Sequence, residues 1–480
     1  MTLAEGKTCA AFEVTGREAM SLLIVLAALA FLMLVAYRGY SVILFAPVAA
    51  LGAVLLTDPS LVPPMFSSVF MEKMVGFVKS YFPVFLLGAV FGKVIELSGF
   101  SKSIVSAVIG LLGRERAVLS IVLVCAILTY GGVSLFVVVF AVYPFAAEMF
   151  RQSDIPKRLI PATVALGAFS FTMDALPGTP QIQNIIPTTF FKTTTWAAPW
   201  LGLIGAVFVL VVGIAYIQYC RRAAHAKGEG YGTELRNEPE PFEEKSLPNP
   251  LIALSPLVIV GVANFVFTKL IPRAYGASHE MALGGKPIVT PIANVAAIWA
   301  VEGALLLGIV TVFAFAWRPV LAKFAEGSKA AVAGALLASM NTAAEYGFGG
   351  VIALLPGFVL VSDALRAIPN PLINEAISVT VLAGITGSAS GGMSIALAAM
   401  SDTFIAAAEA ANIPLEVLHR VAAMASGGMD TLPHNGAVIT LLAVTGLTHR
   451  EAYKDIFVIT LTKTAAVFVV IAVFYLTGIY

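Results

Sequence analysis

The chain has 480 residues, of which 59% are hydrophobic and 12% charged, and 29 Lys and Arg against 28 Asp and Glu leave a net charge of +1. A soluble core of this length cannot hide so much apolar surface, so the composition reads as a polytopic membrane protein. Balanced charge without a long basic block excludes nucleic acid as a partner, and Cys125 and Cys220, in or beside apolar segments, imply no disulfide framework.

Residues 1–18 form a mixed N-terminal tail, and the apolar run after it lacks a small-residue cleavage site, so it reads as an uncleaved first span. Runs near the ~20-residue spanning length follow at Met20–Ala36, Ser41–Leu56 and Pro83–Leu97. Ser101–Gly113, ahead of Arg114-Glu115-Arg116, predicts a short helix lying in the interface. Ala117–Phe150 then offers two arms of roughly 13 to 15 residues around Thr129-Tyr130-Gly131-Gly132-Val133-Ser134, each too short to cross a ~30 Å core. The reading is a re-entrant hairpin. After it, a helix over Lys157–Met173 breaks at Asp174–Pro180 and resumes to about Phe191, and Trp200–Tyr219 spans again.

The polar stretch 221–250 divides the chain. Its bases, among them Arg221, Arg222 and Arg236, place it in the cytoplasm as a solvated linker. Beyond it come spans at Leu251–Ile271 and Ile292–Trp317, with an extra outer loop around His279-Glu280 between them. Leu360–Pro371 is the counterpart of the interfacial helix. A second hairpin covers Asn374–Ala411 with its tip at Thr386–Ser394, a second helix runs Leu415–Met429 and breaks over Asp430–Gly436, and Phe457–Tyr480 spans last.

The two breaks carry the same words: Met173-Asp174-Ala175-Leu176-Pro177 returns as Met429-Asp430-Thr431-Leu432-Pro433. Upstream of each stand a glycine pair, Gly131-Gly132 and Gly391-Gly392, and an Ile-Pro, at Ile155-Pro156 and Ile413-Pro414, in the same order. The chain is therefore an all-α polytopic membrane protein built as an internal duplication, 19–220 and 251–480, each repeat with a re-entrant hairpin and a broken transmembrane helix. Charge distribution orients the repeats as an inverted pair, with the basic residues around the linker inside and Lys73, Lys192, Lys269 and Arg420 among the fewer placed outside. Broken helices placed equivalently in two halves point to the substrate site of a secondary transporter.

Both tips offer Gly, Ser and Thr: Thr129, Gly131, Gly132 and Ser134 in the first, Ser388, Ser390, Gly391, Gly392 and Ser394 in the second. Such tips expose backbone N–H groups at the start of a half-helix and suit an anion; the structural alternative is that the glycines permit close helix packing. Asp174 and Asp430 are intramembrane acids, each costing ~2.5 to 3.5 kcal/mol, and read either as proton or cation sites or as caps on the following half-helix. His434, aligned with Gly178, titrates in the right range for a coupling proton or binds local backbone. Thr179 and Asn435 are placed to meet substrate hydroxyls. Glu345, in an apolar stretch broken by glycines, is the remaining candidate for the proton, and Lys463 can neutralise one of the acids. No His/Cys metal spacing, P-loop or nucleophile elbow is present, so no metal, cofactor or enzymatic site is expected.

Tyr130-Gly131-Gly132-Val133-Ser134, Phe171–Gln181, Ala344-Glu345-Tyr346-Gly347-Phe348-Gly349 and Gly427–Gly436 together resemble the gluconate permease family of bacterial proton symporters, within the ion transporter superfamily. The resemblance runs from about Met20 onward. It implies inverted repeats, a homodimer in the bacterial inner membrane, elevator-like movement of the hairpin domain, and a small organic anion as substrate: gluconate or another sugar acid, or a short hydroxy acid such as 3-hydroxybutyrate. A sodium-coupled carboxylate carrier and a cation/proton antiporter are the alternatives.

Overall fold

A computed structural model describes residues 16–38, 40–113, 116–232, 236–239, 247–283, 286–360, 368–433 and 435–480. Seven helices among them are long and apolar enough to cross a membrane: Gly16–Val35, Pro59–Leu97, Pro199–Ala226, Pro250–Tyr275, Ala296–Ile352, Ala389–Ala410 and His449–Thr477. The chain is an all-α polytopic membrane protein. Its one addition among the described residues is an antiparallel ribbon, Ser278–Leu283 on Lys286–Pro291, where the sequence places the outer loop around His279-Glu280.

Two helices are far longer than the apolar runs suggest. The span expected to start at Pro83 begins at Pro59 and carries Pro83 in its interior, as membrane helices tolerate where neighbours re-satisfy the backbone. Its charged first half obscures it in the sequence, yet Lys73 there lies against Gly350 and over the Tyr346 ring at 6.0 Å. The span expected to end at Trp317 meets a second helix, which runs on to Ile352, across a kink at Ala316 (φ −134°, ψ 36°) just before Pro319, whose ring displaces the carbonyl one turn earlier. The glycines after Glu345 do not break this helix. A β-carbon on Gly347 would fall 2.9 Å from the Phe70 carbonyl oxygen, and one on Gly349 would fall 2.9 Å from Ile395 Cα, so they let neighbouring helices close in.

These long helices pack on one another, with Pro59–Leu97 and Pro250–Tyr275 both against Ala296–Ile352, and form a scaffold. Against it stands a second body. Helices Ala117–Tyr130 and Leu135–Gln152 make the first hairpin, Pro371–Thr386 and Ala389–Ala410 the second. The first broken helix runs to Ala168, turns once more over Phe171–Asp174, and resumes at Ile182–Phe191; the second runs Leu415–Gly428 and resumes at Gly436–Thr445. Packing is crosswise: Ile182–Phe191 lies on Leu415–Gly428 and Ala389–Ala410, while Gly436–Thr445 lies on Leu135–Gln152. A short helix is present at Phe100–Leu112, where the sequence predicts an interfacial one; its expected counterpart falls mostly on 361–367, outside the described residues.

The linker is not simply solvated. Helix Pro199–Ala226 extends past Arg221 and Arg222, and the described residues beyond it form a strap on the second body. Arg158 Nε is 2.6 Å from Glu229, Lys157 Nζ is 2.6 Å from Glu238, Tyr143 donates to the Asn237 carbonyl at 2.9 Å, and Asn237 Nδ2 donates to the Val444 carbonyl at 2.7 Å. Tyr231 is buried in this strap. Burial pushes Glu238 up, but hydrogen bonds from Lys157 and Arg151 prevail and hold its carboxyl below the ordinary value; the Arg158 hydrogen bond likewise lowers Glu229.

Candidate functional site

Tips and breaks meet between the scaffold and the second body. A cavity of about 910 Å³ runs from Lys93 and Glu96, a partly exposed ion pair, to the buried Glu345. Its wall includes Gly132 and Ser134 of the first tip, Ser388 and Ser390 of the second, Gln181 and Gln183 after the first break, and Asp430 and Asn435 of the second break. The convergence follows from local bonds within each repeat. Tyr130 donates to the Pro177 carbonyl at 2.9 Å and Gln181 to the Thr129 carbonyl at 2.7 Å, tying the first tip to the first break. Asn435 donates to the Gly387 carbonyl at 2.7 Å, tying the second tip to the second break. The tips turn at Gly132 (φ +94°) and Gly387 (φ +66°), where left-handed backbone favours glycine.

Several residues singled out from the sequence stand behind the wall instead. Gly131 packs on Leu257 and Gly392 on the Ala383 backbone, where a β-carbon would come within 2.3 and 2.2 Å. Thr179 donates to the Thr172 carbonyl at 2.8 Å, Ser394 donates to the Ser390 carbonyl at 2.6 Å, and Thr129 is fully buried. Gly391 supports an acid: its β-carbon would lie 1.6 Å from Glu345 Oε2, so the carboxyl occupies the notch that glycine leaves. Glu345 Oε2 is buried and has no hydrogen-bond partner. His434 lies outside the described residues.

The duplicated aspartates diverge. Asp430 reaches the cavity wall and pairs with Lys463 at 2.5 Å; the same ammonium donates to the Phe169 carbonyl at 2.6 Å. Asp174 sits behind the wall on Gly427, whose β-carbon would fall 1.9 Å from Asp174 Oδ2 and 3.4 Å from Lys463 Cε. Neither supplies the cap of the half-helix after its break. Asn435 caps the second, accepting from the N–H groups of Ala437 and Val438 at 2.7 and 3.3 Å. Nothing caps the first: Gln181, at its N-cap position, makes no side-chain capping bond.

Capping therefore separates the repeats. In the second, Ser388 accepts the Gly391 N–H at 3.0 Å and Asn435 caps the resumed helix. In the first, the hairpin helix starting after Ser134 and the resumed helix starting after Gln181 both open without a side-chain cap, and Ser134, Leu135, Gln181 and Ile182 all line the cavity. The helix starts that open on the cavity without a side-chain cap thus come from one repeat.

Arg420, placed outside by charge distribution, is instead fully buried in Leu415–Gly428. Its guanidinium donates to the Ala197 carbonyl at 2.8 Å, the Asp174 carbonyl at 2.8 Å and Asn184 Oδ1 at 3.1 Å. Neighbouring His419 bridges Thr193 Oγ1 at 2.6 Å and Asn184 at 3.2 Å. The second broken helix thus holds one carbonyl of the first break and one of the loop before Pro199, which apolar surroundings would otherwise leave unsatisfied. A charge rule that counts loops cannot see an arginine inside a helix. The sequence reading does not single out Gln183, which lines the cavity, or Arg420, which stands behind it; the signal for both is a pair of adjacent polar residues, Gln183-Asn184 and His419-Arg420, within an apolar helix next to a break.

No family model matches the chain. It is 60% identical over 471 residues to the protein named uncharacterized transporter YxjC of Bacillus subtilis (strain 168), covering 96% of this chain and 100% of that protein. It also resembles the crystal structure of the Alcanivorax borkumensis YdaH transporter, with 17% identity, a TM-score of 0.49 and coverage of 96% of this chain and 99% of that one. On its near-complete match to YxjC, the chain is a membrane transporter and belongs to the YxjC family.

Proposed function

We propose that this transporter is a proton-coupled symporter of the gluconate permease type, which takes up a small hydroxy-carboxylate across the bacterial inner membrane. One observation carries the reading. A single cavity joins two uncapped helix N-termini, suited to a carboxylate, to a buried acid with an unpartnered oxygen, Glu345, suited to a proton. Asp430 with Lys463 forms a second charged group on the same wall. In the orientation that puts the strap in the cytoplasm, the Lys93–Glu96 mouth faces inward.

Within this class the wall favours a short hydroxy acid over a sugar acid. Several of its polar side chains are already bonded within the protein: Thr386 to the Leu382 carbonyl, Thr431 to Thr460, Thr342 to Ser390, Gln181 to the Thr129 carbonyl. A polyol would leave buried hydroxyls without partners, at about 1–3 kcal/mol each, while Phe85, Val137 and Met173 on the wall suit a short aliphatic chain.

The test is uptake into proteoliposomes of labelled 3-hydroxybutyrate and gluconate under an inward proton gradient, with and without Na⁺. Accumulation driven by the proton gradient alone supports the symporter. Accumulation that requires Na⁺ at fixed pH, or uphill uptake that survives dissipation of the pH gradient, refutes proton coupling.

A further inference from the structure

A transporter whose cavity opens at one end must be shut at the other. The shut end lies along two scaffold helices. Gly327 packs on Lys93 and Gly350 on Lys73, so Pro59–Leu97 and the helix that ends at Ile352 run antiparallel. On the first, the cavity wall reaches from Glu96 at the mouth to Phe85 and Val84; on the second, from Ala330 to Glu345. Beyond that end, in line with the cavity, stands a cluster of aromatic rings. The Phe77 ring centre lies 6.4 Å from that of Phe85, 4.6 Å from Tyr81 and 5.7 Å from Tyr346, and Tyr346 lies 6.3 Å from Phe190. Phe77 and Tyr81 are buried, at 1% and 4% exposure, while Lys73, about one turn further on, is exposed and stands over the Tyr346 ring. Roughly 18 Å of helix separate Phe85 from Lys73, and the rings occupy that interval between the cavity and the far surface.

The cluster is divided between the two bodies. Phe77, Tyr81 and Tyr346 belong to the scaffold, and Phe190 to Ile182–Phe191, which packs on helices of the second body. A hydrogen bond crosses the same seam. Thr189 donates to the Ile186 carbonyl at 3.0 Å, which leaves its oxygen to accept from the Tyr81 hydroxyl, itself 3.3 Å from that carbonyl. We propose that these rings, latched by Tyr81 on Thr189, are the closed gate on the membrane side opposite the Lys93–Glu96 mouth, and that the path opens between Phe190 and Tyr346 when the second body moves off the scaffold. Apolar rings keep water out of the seam, and the latch joins a side chain to a helix surface, so it breaks without unwinding either helix. The gate rests on the chain being a transporter and holds whichever solute the cavity takes.

The experiment is sided labelling of a single cysteine by a membrane-impermeant maleimide in right-side-out and inside-out vesicles, with Cys9, Cys125 and Cys220 replaced by Ser. Lys93→Cys identifies the side of the mouth, and Ala338→Cys, on the cavity wall, reports access to the interior. With the gate intact, Ala338→Cys should label about 10-fold or more faster from the mouth side. Tyr81→Phe keeps the ring and deletes the latch, and should raise labelling from the opposite side about 2- to 10-fold, the shift in population that one hydrogen bond supports. Tyr346→Ala, which also opens the ring cluster, should raise it further. Thermal unfolding of the purified variants checks that each is folded. Opposite-side labelling unchanged by Tyr81→Phe overturns the proposal, as does an equal rise from both sides, the mark of loosened packing. A parent in which Ala338→Cys labels alike from the two sides, fast or slow, overturns it as well.

Discussion

Lys463 holds the two breaks together, and its removal measures that bond. The ammonium is 3% exposed, 2.5 Å from Asp430 Oδ1 and 2.6 Å from the Phe169 carbonyl oxygen, and Asp430 is 8% exposed. Lys463→Met keeps the aliphatic stem and deletes the charge. Asp430 then stands buried without a counter-ion, with Asp174 nearby across Gly427. Deleting one partner of a buried pair costs about 3–5 kcal/mol, a large part of the ~5–15 kcal/mol that holds a typical protein folded. Asp430→Asn should cost less, because Asp174 still offers Lys463 a neighbouring acid. The double variant Lys463→Met/Asp430→Asn, which leaves no ion unpaired at this contact, should recover most of the loss. The assay is thermal unfolding of detergent-solubilised protein, read by fluorescence-detected size exclusion as a double-mutant cycle. Single variants as stable as the parent, or a double variant whose loss is the sum of the two, would refute the reasoning.

Three further outcomes are expected. Leu135→Pro removes one free N–H at the first helical position of the uncapped hairpin helix, a place that tolerates proline, after Ser134 already in an extended conformation (ψ 137°); carboxylate affinity in ligand-induced thermal shifts should fall about 10- to 100-fold with folded yield unchanged. Gly391→Ala forces the Glu345 carboxyl from its notch, the β-carbon arriving 1.6 Å from Oε2, and should abolish proton-driven accumulation at a stability cost of about 1–3 kcal/mol; Gly392→Ala meets Ala383 backbone at 2.2 Å and should reduce folded yield instead. Glu229 and Glu238 have lowered pKa values, so their grip on Arg158 and Lys157 is present above the unfolded value of about 4.5 and is lost as pH falls through the folded values; amide exchange across 229–232 and 236–239 should rise below pH ~4.5, and Arg158→Ala should raise it at neutral pH.

Reading the sequence found the duplication because a break needs a particular composition. Asp, Pro and Gly interrupt an apolar run wherever a helix stops inside a membrane, and both breaks and both hairpins stand where those residues fall. The long scaffold helices were not legible. Lys73 and Lys79 in one and Gly347 to Gly350 in the other look like ends of spans, and only packing shows that Lys73 lies on Gly350 and that the glycines admit Phe70 and Ile395. The strap was hidden for a related reason: Glu229 and Glu238 find their partners in Arg158 and Lys157, more than seventy positions away in sequence. Arg420 shows the limit most plainly. Its charge suggests a loop, and its role lies in the carbonyls of another repeat.

If the cavity takes an anion and a proton as proposed, the duplication supplies separate groups for each. Two copies of one unit begin with the same chances at each tip and each break. In the second copy those chances are taken up internally, by Ser388 on Gly391 N–H and by Asn435 on Ala437 and Val438, and the acids that face this side are Glu345, lodged on Gly391, and Asp430, paired with Lys463. In the first copy the corresponding helix starts remain open at Ser134 and Gln181, and its aspartate has withdrawn behind the wall. A bound carboxylate placed against the first copy's N–H groups would raise the proton affinity of acids across the cavity, and a proton taken there would in turn remove a repelling charge from the carboxylate's side. Each ligand then favours the other by the same free energy, because linkage is reciprocal. That mutual preference is the thermodynamic requirement for loading both together, and it needs the asymmetry between the copies as much as their likeness.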